Sequence, residues 1–394
     1  MITFAAKFGG LKFYQKMQQR NFLKIFIACL CMGMSFTTVA SPAIQEQHEE
    51  QEQHAPTESG AVDTREEVTE YIQHHLQDSY YYNFFSDGET GAHYGFPLPV
   101  ILFDDGLKVF SSGVFHHGEE VAEIDGNYYK LYHSKIYKTD AEGTITYDEN
   151  GFPANERPWD FSITKNVLIM LVVGLLMMFI FSSLARSYKK GALPTGFGRV
   201  LEPLVLYVRD DIAKPNIGKN YRKYMGFLLT VFFFIWILNL LGMTPLGVNV
   251  TGNIAVTFAL ALVTFVIVQF SANKDYWKHI FWMPGLPVPM KIILAPIEVL
   301  GMFTKPFALM IRLFANMTAG HVIVMTLLGL IVVFRNWIAG PAFLGFTIFM
   351  FVIELLVAFL QAYIFTLLSA LYIGMAVEDH SDHHPADNED IPVI

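Results

Sequence analysis

Cysteine is almost missing from this 394-residue chain: Cys29 and Cys31 are the only two. Such a pair excludes a disulfide-stapled scaffold and a cysteine-rich metal cluster. Charge is also scarce. Asp, Glu, Lys and Arg make up 16% of the residues, against about 25% in soluble chains. Hydrophobic residues reach 53% and the mean hydropathy is +0.37. That balance points to a membrane protein. A surplus of positive charge is lacking as well. The net charge of -9 excludes a basic protein that coats nucleic acid. No GxxxxGK[ST] phosphate-binding loop occurs, so nucleotide chemistry of that kind is not carried here, and no cofactor is implied. Length permits two or three domains.

What is present divides the chain in two, a polar first 160 residues and an oily remainder. At the start, Lys7, Lys12, Lys16 and Arg20 precede an apolar run over residues 22–39, and Thr38, Val39 and Ala40 stand before Ser41. This is the layout of a secretory signal. It predicts a signal peptide over 1–40, with both cysteines leaving with it and residue 41 beginning outside the cytoplasm. Residues 41–68 are Gln, Glu and His with few hydrophobes, a disordered composition. Residues 69–85 show a weak helical pattern. Then Leu107 to Phe110, Tyr128 to Tyr137 and Thr144 to Tyr147 are β-prone runs, with turns at Asp125-Gly126-Asn127 and Ala141-Glu142-Gly143. The reading is a small β-rich extramembrane module within an external segment spanning 41–160. His116 and His117 have no metal-ligand spacing.

Residues 161–376 read as an all-α membrane domain of five transmembrane helices. Spans over 166–183, 225–243 and 254–271 are long enough to cross a hydrocarbon core of about 30 Å. Two further apolar tracts, 291–334 and 341–375, are overlong. The latter would measure roughly 50 Å as one helix, so the last two helices must be tilted, broken or projecting. The first interspan loop holds Arg186, Lys189, Lys190, Arg199, Arg209, Lys214, Lys219, Arg222 and Lys223, the second holds no Lys or Arg, and the third holds Lys274, Lys278 and Lys291. The positive-inside rule puts the first and third loops in the cytoplasm. The N-terminal module is then periplasmic and the His/Asp-rich tail 377–394 cytoplasmic, in the cell inner membrane. Within the first loop Leu201, Leu204, Val205, Val208 and Ile212 share one helical face, which predicts an interfacial helix.

The first three spans lack ionisable residues. The last two tracts contain Glu298, Lys305, Arg312, His321 and Glu354, with Asn316 and Gln361 as polar companions. Burying an arginine in lipid costs roughly 2.5–3.5 kcal/mol or more, so these groups face a partner or a wet cavity. Arg312 and Asn316 are four apart on one face. His321 lies about 13 Å beyond Arg312, Gln361 about 10 Å from Glu354, and Glu298 about 21 Å before Arg312 along ideal helix axes. In antiparallel helices, Gln361 at the depth of Arg312 puts Glu354 near His321. One arginine then separates an outer His/Glu pair from an inner carboxylate. Glu and His pass protons, whereas Arg cannot release one. Two access paths parted by a fixed cation need a moving carboxylate to pass between them. Lys305 precedes Pro306, has a stem long enough to snorkel, and reads with Asn239 of the second span as structural or accessory.

At these residues the chain resembles the a subunit of the F-type ATP synthase membrane sector. The most specific stretch is Lys305-Pro306 followed by Met310-Ile-Arg312-Leu-Phe-Ala-Asn316-Met-Thr-Ala-Gly-His321. Supporting it are Asn239-Leu-Leu-Gly242-Met-Thr-Pro245, Thr251-Gly-Asn-Ile-Ala-Val-Thr257 and Leu360-Gln361-Ala-Tyr-Ile-Phe365. The resemblance covers about residues 160–376. It implies that Arg312 is the stator arginine and that Glu298, Asn316, His321, Glu354 and Gln361 occupy half-channel positions. His321 and Glu354 stand in an order that some members have reversed. The implied partners are a ring of c subunits, the b subunits of the peripheral stalk and the remainder of the synthase. The implied role is non-catalytic, proton flow coupled to ring rotation. Sodium as the coupling ion is the same-site alternative, and an independent secondary transporter is the alternative of another class, although no internal repeat supports it.

Overall fold

The computed structural model describes residues 68–378, apart from 70–71, 73–75, 87–92, 150, 191–195, 197, 245–247, 284–286 and 335–338. The expected signal segment, the polar run up to residue 67 and the tail from residue 379 lie outside the described residues.

Among the described residues, the polar half folds as three small antiparallel sheets, β1-β2, β4-β3-β8 and β5-β6-β7. The strands are β1 (Tyr81–Ser86), β2 (His93–Pro97), β3 (Pro99–Phe103), β4 (Leu107–Ser111), β5 (Val121–Ile124), β6 (Asn127–Tyr132), β7 (Lys135–Thr139) and β8 (Trp159–Asp160), with a 3-10 turn over Ser112–Gly118. Alternation on β3 sends Val100 and Leu102 inward, where they meet Tyr80, Phe115, Ala122, Tyr129 and Ile136. Two hairpins turn in two residues. Asp125 and Gly126 join β5 to β6, and His133 and Ser134 join β6 to β7, all four with positive φ, as the twist-matched hairpin turns require.

Three local expectations change. The run from Tyr128 to Tyr137 is two strands, because His133 and Ser134 take the left-handed turn. Thr144 to Tyr147 is no strand but one bridge, Tyr147 to Pro153. There Asp140 and Asn155 side chains accept the amides of Thr144 and Thr146 at 2.7 Å each, and such local bonds displace a ladder. Helical positions occur at Val68, Thr69, Ile72 and Leu76, but β1 begins at Tyr81. Long-range partners claim the backbone there: Leu98 N–H bonds the Tyr80 carbonyl at 3.1 Å and Lys165 N–H bonds the Ser79 carbonyl at 2.9 Å.

The oily half contains α1 (Lys165–Lys190), α2 (Gly198–Tyr207), α3 (Lys214–Ile217), α4 (Tyr221–Gly242), α5 (Ile254–Ser271), α6 (Lys274–Phe281), α7 (Val288–Phe334) and α8 (Ala339–Val377). Among the described residues, five helical segments are long and apolar enough to cross a membrane. The chain is mostly helical, with the β-rich region at its N-terminal side. The core gathers Met177, Leu228, Phe232, Phe233, Ile235, Phe365 and Ile373 from α1, α4 and α8. Tyr82 and Leu98 belong to the same cluster, which joins the sheets to α1.

The amphipathic segment after α1 buries Leu201, Val208 and Ile212 as its periodicity predicts, yet it is not one α-helix. Its winding widens to a π turn over Val208–Ala213, and Lys214 N–H reaches back to the Arg209 carbonyl. Pro215 follows and has no N–H to continue the ordinary register.

α7 and α8 run 47 and 39 residues, about 70 and 58 Å at the usual rise. Both exceed the hydrocarbon core. They pack on each other, and α8 also packs on α4. The end of α8 is tied down. Asn273 donates its N–H to the Ala376 carbonyl and its Nδ2 to the Val377 carbonyl, both at 2.9 Å, which satisfies two of the last four carbonyls of a helix. Gly374 lies so near the Asn216 carbonyl that a Cβ there would stand 1.9 Å from that oxygen. Only glycine permits this approach.

Candidate ion-path site on the paired helices

α7 supplies Glu298, Lys305, Arg312, Asn316 and His321, and α8 supplies Glu354 and Gln361. Four apolar side chains of α7, Leu309, Met310, Leu313 and Met317, are its buried stripe. They hold the helix against the bundle at the level of the arginine. Arg312 and Asn316 lie on the other side and are exposed. The neighbouring surface is apolar and uncovered, with Phe303, Phe307 and Ile311 exposed on α7 and Phe351, Val352 and Leu356 exposed on α8. Among the described residues no carboxylate lies within ion-pair distance of Arg312.

The polar groups of α8 point inward instead. Glu354 is 6% and Gln361 4% exposed. Glu354 packs on Gly320, whose Cβ, if present, would stand 3.1 Å from Oε1. That places the carboxylate beside the residue preceding His321, which is itself half-buried. Glu354 Oε1 is buried with no hydrogen-bond partner among the described residues. Such an oxygen is costly to leave bare, and a proton or a water would relieve it.

Further along, Lys305 places its ammonium 5.6 Å from the centre of the Tyr372 ring, so its charge rests on an aromatic face. A cavity of about 20 Å³ lies between α5, α6, α7 and α8 and is lined by Thr264, Gln269, Tyr276, Lys305 and Tyr372 among others. It has room for about one water. Glu298 is half-buried nearby. Burial pushes the Tyr276 phenol up, the Gln269 side chain counters this, and the charge of Glu298 adds to the rise. Glu298 is therefore within electrostatic reach of α6.

Asn239 is fully buried on α4 and bonds the Ala358 carbonyl at 3.3 Å. The structure thus brings together Gly320, Glu354 and the backbone beside His321. It leaves Arg312 and Asn316 outward and sets Glu298 apart with the α6 cavity. Asn249 and Tyr372 were not singled out from the sequence, and Thr251 entered only as part of a resembling stretch with no role of its own. Asn249 and Thr251 lie in a connector without Lys or Arg. Two polar side chains between uncharged spans were the available signal.

A family model described as ATP synthase A chain matches residues 167–374. Residues 71–161 match a family described as Domain of unknown function (DUF8433). The chain is 47% identical over 234 residues to an ATP synthase subunit a of Chloroherpeton thalassium, covering 57% of this chain and 70% of that one. It is 42% identical over 281 residues to an ATP synthase subunit a of Chlorobium phaeobacteroides, covering 68% and 79%. To an ATP synthase subunit a 2 of Prosthecochloris aestuarii it is 36% identical over 317 residues, covering 76% and 97%. With five membrane-length helices, an arginine on the open face of the fourth and a match over more than half its length, the chain belongs to the ATP synthase subunit a family and is a multi-pass subunit of the membrane sector.

Proposed function

We propose that this subunit is the non-catalytic stator of a proton-driven rotary synthase, with Arg312 as the fixed charge between two offset half-channels. The observation that carries this reading is the exposure of Arg312 and Asn316 on an apolar face that none of the described residues covers. A guanidinium cannot stand against lipid without a partner or water. A ring of c subunits presenting a carboxylate would cover that face and pair with it. The b subunits would hold the chain against the ring.

In this mechanism the N-terminal module is periplasmic, the tail cytoplasmic, and the protein sits in the cell inner membrane. A proton enters from the periplasm past His321, Glu354, Asn316 and Gln361. It neutralises a ring carboxylate, which can then travel through lipid. After nearly a full turn that carboxylate reaches the inner cavity near Glu298. Arg312 favours the ionised form there, since an adjacent cation lowers a carboxyl pKa, and the proton leaves. Arg312 itself never releases a proton and so bars direct leakage. Each charge moved through 100 mV yields about 2.3 kcal/mol, so several protons serve one ATP, made on other subunits. Asn239 and Lys305 shape the site and do not carry the ion.

The test is Arg312→Ala in inverted vesicles that hold the whole synthase. ATP-driven acidification should disappear, and acidification at the normal rate would refute the stator role. Repeating the wild-type measurement with and without sodium separates the coupling ions. A strict sodium requirement would replace the proton in this scheme.

A further inference from the structure

The connector between α4 and α5 carries polar groups that the proposed ion path does not use. Asn239 is 0% and Thr251 1% exposed. Thr251 Oγ1 donates to Asn239 Oδ1 at 2.8 Å, and Asn239 Nδ2 donates to the Ala358 carbonyl at 3.3 Å. Two residues before Thr251, Asn249 Nδ2 donates to the Met317 carbonyl at 3.2 Å, and Asn249 Oδ1 accepts the Gly252 N–H at 2.9 Å. Thr318 Oγ1 adds a bond to the Gly252 carbonyl at 3.5 Å. A single 3-10 turn, Val250–Gly252, therefore grips α4 and α7 while α4 grips α8.

The carbonyls that are gripped belong to the site. In an α-helix Met317 O is the acceptor of the His321 amide, four residues on. Ala358 lies between Glu354 and Gln361. Apolar packing between α7 and α8 is permissive about depth, because lipid solvates the same side chains nearly as well. A buried amide is not permissive. Sliding α8 along its axis would strip Asn239 of its acceptor, and an unbonded amide in that surrounding is costly.

We infer that Asn239, Thr251 and Asn249 are positioning residues, a buried amide–hydroxyl latch that sets the depth of α7 against α8 and so keeps Glu354 opposite Gly320. The inference rests on the reading of His321, Glu354 and Arg312 as the ion path.

The test uses the whole synthase in inverted vesicles, with ATP-driven acidification divided by the amount of assembled complex. Thr251→Val deletes the hydroxyl at constant shape. It should assemble and run about tenfold slower per complex or worse, since misplacement by 1 Å can cost about a hundredfold. Thr251→Ser should recover most of the rate. Asn249→Ala, which leaves the Asn239–Thr251 bond in place, should slow the complex in the same direction. Assembly and per-complex rate both at wild-type level in Thr251→Val would overturn the latch. So would a loss of assembly with a normal rate in what remains. If Thr251→Val does not assemble, Asn249→Ala decides by the same rate, and failure of both to assemble reduces the turn to a folding element and also overturns it. Arg312→Ala in the same vesicles separates the two ideas. Normal acidification there sinks the ion path. A dead Arg312→Ala beside normal Thr251→Val and Asn249→Ala sinks the latch alone.

Discussion

Glu354 lays its carboxylate over the backbone of Gly320 on the neighbouring helix, so closely that an added Cβ would stand 3.1 Å from Oε1 and 3.3 Å from Cδ. The helix pair is thus in register at the polar groups. The absence of a side chain at Gly320 is part of how the acid reaches the level of His321. Gly320→Ala should push the carboxyl aside by a few tenths of an ångström without unfolding the pair, because the end of a long side chain can yield. Acidification per assembled synthase should fall about threefold, and Gly320→Val further, in line with the sensitivity of proton transfer to placement. Unchanged rates in both variants would show that this contact is idle.

Exchange of the acid and the imidazole tests whether the two act as a pair. His321→Glu and Glu354→His singly should each cost about tenfold or more in proton flow, as loss of a positioned acid or base does. The double exchange should recover part of that loss. Measuring ATP-driven acidification for all four proteins gives the coupling between the sites. Strictly additive losses would mean that they work apart.

Gly374→Ala probes the far end of α8. Its Cβ would meet the Asn216 carbonyl at 1.9 Å, and a backbone atom cannot swing away as a side chain can. Overpacking of this kind costs about 1–3 kcal/mol. The variant should leave less assembled subunit in the membrane and a lower thermal midpoint, with the rate per remaining complex little changed. A normal midpoint would contradict the tight seat of α8 on α3.

The β-rich region has its own charge network, and its pH response follows from it. Asp104 accepts the Tyr129 phenol at 2.7 Å and pairs with Lys138 at 2.9 Å, and Lys108 donates to the same phenol at 2.8 Å. The Tyr129 bond chiefly, with Lys138, holds the Asp104 carboxyl below its usual range against the opposing effect of burial. A depressed carboxyl contributes stability above its unfolded pKa, about 4, and loses it as the pH falls through the lower folded value. The protection of the β3 to β6 amides, taken as their exchange relative to the intrinsic rate at the same pH, should therefore fall below about pH 4. Asp104→Asn should blunt that acid response and cost about 1–3 kcal/mol at neutral pH, as loss of a charged partner does. An acid response identical in the variant would assign it to other groups.

Much of the helical half was legible from composition. The span over 254–271 coincides with α5, because Asn253 caps its start by accepting the Ala255 N–H at 2.9 Å and Ala272 turns extended at its end. The two overlong tracts appear as α7 and α8. The turn at Asp125-Gly126 and the strand after it were visible, since that dipeptide favours a tight turn, whereas β5 before it was not. The hairpin at His133-Ser134 was not visible, because that pair holds neither Gly, Asn nor Asp, the residues that mark a two-residue hairpin turn, and the strand pairing imposes their left-handed backbone. The π turn before Pro215 was hidden for a similar reason, since periodicity reports which face is apolar and not how the backbone winds.

The order of residues alone determined that the described residues hold five stretches long and apolar enough to cross a membrane, and that the ionisable groups within them gather on the last two. Hydrophobicity and charge are local properties, summed along a window. Depth and facing were decided only by the tertiary structure. Gly320 admits the Glu354 carboxyl, the buried stripe of Leu309, Leu313 and Met317 turns Arg312 outward, and Asn239, Asn249 and Thr251 join helices up to 119 residues apart in the chain. Contacts of that kind depend on which surfaces meet, and no window of sequence contains both sides of them.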